Sequence, residues 1–190
     1  MWLSNSSIGR KVVMSLTGLF LVLFLTFHMS MNVVAVISAD GYNMICNFLG
    51  ANWYALVGTA IIAAGAVLHI IYAFWLTLQN RKARGNDAYA VNVRPKSVEW
   101  ASQNMLVLGI IVFVGLALHL YHFWFKMQFN EITGVLPDVN PHDGVALIRE
   151  TFNCPITVVL YLIWFVAIWF HLTHGFWSAI QTLGINNHVW

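Results

Sequence analysis

Charge is what this sequence has least of. Only 8% of its 190 residues are Asp, Glu, Lys or Arg, whereas 59% are hydrophobic and the mean hydropathy is +0.72. A soluble domain carries about 25% charged residues, so this chain could not cover a globule with water-compatible surface. That excludes a soluble enzyme or binding domain and implies an integral membrane protein. The formal net charge of +2 offers no polyanion-binding surface, and nucleic acid is not an expected partner. Cysteine is nearly absent: Cys46 and Cys154 have no metal-ligand spacing, and no C-x-x-C-H is present for covalent haem attachment. No internal repeat or low-complexity tract is present.

What is there is apolar length. Runs of about 20 residues, enough to cross a bilayer, fall at 12–37, 54–78, 103–125 and 156–181. The first run is about 25 residues long, longer than a signal-peptide core, and no small-x-small site closes it, so a retained helix is expected. Arg10, Lys11, Arg81, Lys82, Arg84, Arg94 and Lys96 all fall on one side if the spans alternate, against Lys126 and Arg149 on the other. The positive-inside rule then places the N-terminus, the 79–102 loop and the C-terminus in the cytoplasm. Asp40, Glu131, Asp138, Asp143 and Glu150 lie outside. Both cysteines map to outer loops, which permits a Cys46–Cys154 disulfide without requiring one. The 79–102 loop is polar and basic, with Pro95; the outer 126–154 loop holds Pro137 and Pro141, and its DGVALIRETF could form a short interfacial helix. Trp53, Tyr54 and Trp100 read as interface belts. The fold class is all-α, an antiparallel transmembrane bundle of four spans in a single domain over 1–190, with its sites between helices.

Eight histidines are present, and six lie within the spans: His28, His69, His119, His122, His171 and His174. One such imidazole could simply hydrogen-bond across helices, but an ionisable group in every span points to function. Depth sorts them. His28 and His119 each lie about 16 residues, or roughly 24 Å, from the inner face. His69 and His171 each lie about 15 residues, or roughly 22 Å, from the outer face. The count gives two levels roughly 10 Å apart, His28/His119 in the outer half and His69/His171 in the inner half. Zinc or copper would ask for three or four ligands at one level. Two nitrogens per level suit two stacked bis-histidine haems, non-covalent and therefore b-type. In each H-x-x-H pair a glycine one turn away favours one member: Gly115 lies four before His119 and Gly175 four after His171, whereas His122 and His174 have no such glycine. Gly65 stands four before His69, and His28 has no glycine at that spacing.

The stretches SSIGRKVVMSLTGLFLVLFLTFHMSMN (6–32), VLHIIYAFW (67–75), HLYHFW (119–124) and FHLTHGFWSAIQTLG (170–184) together resemble the dihaem cytochrome b membrane subunit of succinate:quinone oxidoreductases, the succinate dehydrogenase and fumarate reductase family. The resemblance spans nearly the whole chain. It implies axial histidines at His28, His69, His119 and His171, with the His69/His171 haem proximal to an iron–sulphur partner and the His28/His119 haem distal. It implies a bacterial cytoplasmic-membrane enzyme subunit that relays electrons between flavoprotein and iron–sulphur partners on the cytoplasmic face and a quinone, menaquinone, in the bilayer. Arg10, Lys11, Arg81 and Lys126 are candidates for haem propionate contacts, and His122 and His174 for positions beside haem or quinone. Two features depart from the family. Members usually have a fifth helix, whereas four spans are expected here, and a glutamate that some members carry two residues before the fourth-helix histidine is Trp169 in this sequence, so its proton route does not carry over. A stand-alone dihaem cytochrome b would show the same four histidines, and a haem-free transporter would use them as proton relays; the lack of any Asp, Glu, Lys or Arg inside a span counts against the second.

Overall fold

A computed structural model of the chain describes residues 6–84 and 100–186. Arg94, Lys96, Pro95 and His188 lie outside them. The described residues form seven helices and no strand: α1 (Ser7–Ile37), α2 (Ala39–Phe48), α3 (Trp53–Arg84), α4 (Trp100–Gln103), α5 (Met105–Thr133), α6 (Gly144–Phe152) and α7 (Pro155–Thr182). Four of these, α1, α3, α5 and α7, are long and apolar enough to cross a membrane. The protein is a multi-pass membrane protein.

The long helices overrun the apolar stretches that mark them. α1 begins at Ser7 rather than 12, α3 continues past 78 through Gln79, Asn80, Arg81 and Lys82, and α5 runs to Thr133 rather than 125. Hydropathy marks the hydrocarbon layer, whereas backbone hydrogen bonding carries a helix on until a cap stops it. The caps are visible in the sequence. Ser6 Oγ accepts from Gly9 N at 2.9 Å to start α1, and Pro155 opens α7 at a position where its missing N–H costs nothing. Gly134 (φ 65°) and Gly184 (φ 73°) turn the chain in the left-handed region after α5 and α7.

Side-chain contacts fix the directions. Thr17 meets His69 and Phe20 meets Gly65, so α1 and α3 run antiparallel. Gly109 meets His171 and Tyr161 meets His122, so α5 and α7 do too. α1 packs on both α3 and α7, and α7 packs on α5; the pairs α1/α5 and α3/α7 are not among the closely packed ones. Apart from a small cluster at Ala101, Leu108 and Ala167, few apolar side chains are buried, and Leu23, Ile61, Val114 and Val166 are more than half exposed. In a bundle whose outer solvent is lipid that exposure carries no penalty.

One end of the bundle is capped. Ser38 terminates α1 and starts α2, its Oγ accepting from Gly41 N at 3.0 Å, and α2 buries Tyr42 and Cys46, four residues apart, toward α6. This helix falls in a stretch that hydropathy leaves as plain outer loop; the serine cap and the following Asp40 are its signal. α6 is the helix suggested by DGVALIRETF, with Asp143 as its N-cap. The cap is knitted by side chains: Asn43 Nδ2 donates to Asp143 Oδ1 at 3.0 Å, Val145 N donates to Asn43 Oδ1 at 3.1 Å, Ala51 N donates to Glu131 Oε2 at 2.8 Å, and the buried Gln128 donates to Gly50 O at 2.9 Å. Both thiols here are free, Cys46 buried and Cys154 exposed, so the disulfide that their placement permits is not formed. Burial raises the Cys46 thiol, and it pushes the Tyr42 hydroxyl up to about 12, aided by Cys46 beside it.

Candidate functional site: two histidine levels

The antiparallel packing brings four histidine rings into two pairs. His28 of α1 and His119 of α5 have ring centres 5.7 Å apart and planes at 89°; His69 of α3 and His171 of α7 have centres 6.4 Å apart and planes at 71°. Each pair bridges two helices that do not pack closely on one another, so side chains fill the gap between backbones. All four residues are partly buried.

The spacing between levels can be read on two helices independently. The His69 ring lies over Gly18 of α1, ten residues before His28, and the His171 ring lies toward Gly109 of α5, ten residues before His119. Ten residues of helix rise about 15 Å. The depth count gave roughly 10 Å, too little because it took the outer ends of the first two apolar runs as level, whereas Thr17 opposite His69 and Phe20 opposite Gly65 place the start of α3 short of the end of α1.

The pair at the capped end is enclosed by rings. Trp164 of α7 lies 5.5 Å from His119 at 35° and donates Nε1 to Val112 O at 3.0 Å; its ring occupies the place where a Cβ on Gly115 would stand. Gly115 therefore admits an aromatic side chain from α7, and that side chain in turn walls His119. Phe123, Tyr161 and, on the other helix, Phe24 complete the ring shell. Above it, Asn32 donates to His28 O at 2.8 Å while accepting from Tyr42 Oη at 2.9 Å, which ties α2 to the backbone of the histidine.

The pair at the terminal end has small neighbours. A Cβ on Gly18 would sit 3.4 Å from His69 Cε1, and one on Gly109 would sit 3.7 Å from His171 Cε1. His69 Nδ1 is 3.2 Å from Thr17 Oγ1, whose hydroxyl also reaches Val13 O at 2.9 Å. Such a contact holds an imidazole in one orientation and leaves its other nitrogen to act. Gly65 is covered by Phe20, and Gly175 would meet nothing within 4 Å. Beyond this level a cleft of about 390 Å³ opens at the terminal end, lined by Lys11, Ser15, Ser178 and Gln181 among others.

The remaining candidates are dispersed. Arg10 lies over the Trp75 ring at 5.6 Å, Arg81 is exposed, and Lys126 is paired with Glu150 at 2.9 Å. His122 is held by Tyr161, with His122 Nδ1 3.2 Å from the Tyr161 hydroxyl, and His174 lies three residues beyond His171 on α7. Composition and hydropathy pass over the residues that furnish the site: Thr17, Gly18, Gly109, Tyr161 and Trp164. A signal for several of them exists. Ten residues before His28, His119 and His171 stand Gly18, Gly109 and Tyr161, each at the level of the opposite pair.

Do these residues suit a haem iron? Two imidazoles sharing one metal at roughly 2 Å per bond would have ring centres about 6 Å apart, and the two pairs bracket that spacing. Among the described residues, His119 Nδ1 and His171 Nδ1 are buried without a hydrogen-bond partner, one in each pair. His142 Nδ1 and Thr151 Oγ1 share that state elsewhere in the molecule. No group of three or more His, Cys, Asp or Glu able to hold a metal exists among the described residues, so a metal held at either level by two nitrogens would need a ligand that brings its own donors. The donor set fits haem.

Comparison with protein-family models, curated proteins and solved structures finds no match. The geometry stands alone.

Proposed function

We propose that this chain is the membrane anchor and electron-transfer subunit of a succinate:quinone oxidoreductase, a dihaem cytochrome b of a bacterial cytoplasmic membrane. The observation that carries the reading is the pair of two-histidine levels, each built from two different spans and about 15 Å apart along the bundle. Haem b bound at each level would supply a reversible one-electron centre. The chain's own residues have separate tasks. His69 and His171 ligate at the terminal end, with Thr17 fixing the His69 ring; His28 and His119 ligate at the capped end, with Trp164 holding His119 and the Asn32–Tyr42 link holding α1 beneath the cap. Lipid surrounds the apolar faces of the four spans. The flavoprotein and iron–sulphur partners belong on the face that carries the terminal end, the side assigned to the cytoplasm by its basic residues. Quinone, menaquinone by family resemblance, is the membrane substrate. The dicarboxylate chemistry belongs to the partner subunits.

The test is a dithionite-reduced minus oxidised spectrum of protein from native membranes, with haem and protein quantified together. Two b haems per chain are expected, with His171→Ala losing one and His174→Ala keeping both. A colourless protein would refute the reading and leave the histidines to proton transfer. Co-isolation of flavin and iron–sulphur clusters separates this subunit from a stand-alone cytochrome b, which would carry the same haems without them.

A further inference from the structure

His119 and His122 lie three residues apart in HLYH, and residues at that spacing share one face of a helix. Both imidazoles would then be offered to His28 and whatever is shared with it. Two features separate them. From Leu120 the backbone of α5 becomes π-helical, through Phe129, which widens the turn immediately after His119 and swings His122 round the axis. Tyr161 of α7 then packs against both rings. It is only 3% exposed, its ring stacks on His122 at 5.9 Å and 17°, it meets the His119 ring at 6.3 Å and 65°, and its hydroxyl lies 3.2 Å from His122 Nδ1. The tyrosine is itself clamped, edge-on to Phe152 at 4.8 Å and to Trp164 at 5.5 Å.

Resting on the dihaem reading above, we propose that Tyr161 is a positioning residue that decides which histidine of HLYH ligates: it engages His122 through ring and hydroxyl and so leaves His119 alone opposite His28. The hydroxyl is the selective part, because Phe at this position keeps the stack and the clamp but gives His122 Nδ1 nothing to bond. His122 would then be released to compete for the iron from the adjoining turn.

The experiment uses the full complex from native membranes and reads haem content together with the low-spin electron paramagnetic resonance signals, with the haem of the His69/His171 level as an internal report of folding. In the native background His119→Ala should lose the capped-end haem, because His122 is held away. Tyr161→Phe should keep both haems but split the capped-end signal into two ligation species while the other signal is unmoved. The double variant His119→Ala/Tyr161→Phe should regain capped-end haem, and adding His122→Ala should abolish it again. An unsplit capped-end signal in Tyr161→Phe, or a double variant as empty as His119→Ala, would overturn the proposal while leaving the dihaem reading intact. Absence of haem from the unaltered complex would instead sink the dihaem reading itself.

Discussion

Around His28 and His119 the chain has placed rings; around His69 and His171 it has placed glycines and a hydroxyl. At the capped end Phe24, Phe123, Tyr161 and Trp164 crowd the pair, and α2 and α6 close over it with a hydrogen-bonded polar lid. At the terminal end Gly18 and Gly109 leave the rings bare on one side, Thr17 holds one of them, and a polar cleft with Lys11 leads outward. Two haem centres held at these levels would acquire different properties from such surroundings, because burial and hydrogen bonding around a centre tune its potential. An enclosed, aromatic shell disfavours net charge, whereas a site near hydroxyls and a cation accommodates it. The difference in furnishing is how one chain would give two such centres unlike potentials.

The contrast breaks most visibly if the ligands themselves are removed. His28→Ala and His69→Ala should each lose one haem, and not the same one: the two reduced-minus-oxidised spectra of the variants should sum to that of the native protein. A pair of variants with identical residual spectra would mean that the four rings serve one centre. Next in size is the packing of the capped level. Gly115→Ala pushes a methyl group into the Trp164 ring, and overpacking of this kind costs about 1–3 kcal/mol. A lowered Tm in detergent and a disturbed capped-end haem are expected. Gly18→Ala meets only an ordinary contact with His69 and should leave Tm unchanged or raised, since Ala suits a helix interior better than Gly by up to ~1 kcal/mol. The same substitution is thus expected to destabilise at one level and not at the other, and equal effects would erase the distinction between them.

Thr17→Val is a smaller change. It keeps the shape and removes one hydrogen bond to His69 Nδ1, worth about 1 kcal/mol. Redox titration should show the midpoint of the terminal-end haem moved and that of the capped-end haem unmoved. Movement of both would imply that Thr17 acts through the bundle rather than on its histidine.

How much of this was legible in the sequence varied with the kind of signal. The four spans follow from apolar length, and the grouping of His28 with His119 and of His69 with His171 follows from residue counts along rods of fixed rise. The level spacing came out short because hydropathy shows where each span ends but not how two spans are staggered, and the start of α3 lies short of the end of α1. Helix α2 was hidden because its stabilisation comes from the burial of Tyr42 and Cys46 against α6, a contact of residues a hundred positions apart. The glycine argument met close approaches at Gly65 and Gly115 but none at Gly175, and it assigned their purpose from sequence spacing alone: the space beside Gly115 belongs to Trp164 and that beside Gly65 to Phe20, partners which only the packing of the bundle reveals. The π-helical turn after His119 had no signal in composition or periodicity.

The smallest effect concerns the cap. Its two cysteines differ as the histidine levels do, one enclosed and one open. Cys154 stands exposed at the N-terminus of α7, where the nearby Thr157 amide and hydroxyl and Ile156 amide favour the thiolate and lower its pKa. Cys46 is buried beside Tyr42, and burial raises its pKa. The thiolate is the reacting form. A lowered pKa means that the thiolate of Cys154 is populated at lower pH than that of an ordinary cysteine, so its alkylation rate should rise early with pH and level off sooner. Cys46 should remain unlabelled across the same range until the protein is denatured. Mass spectrometry of detergent-solubilised protein, alkylated at a series of pH values, reads both sites at once. Labelling of Cys46 at a rate near that of Cys154 would show that α2 and α6 part readily, and the capped level would then be no more enclosed than the other.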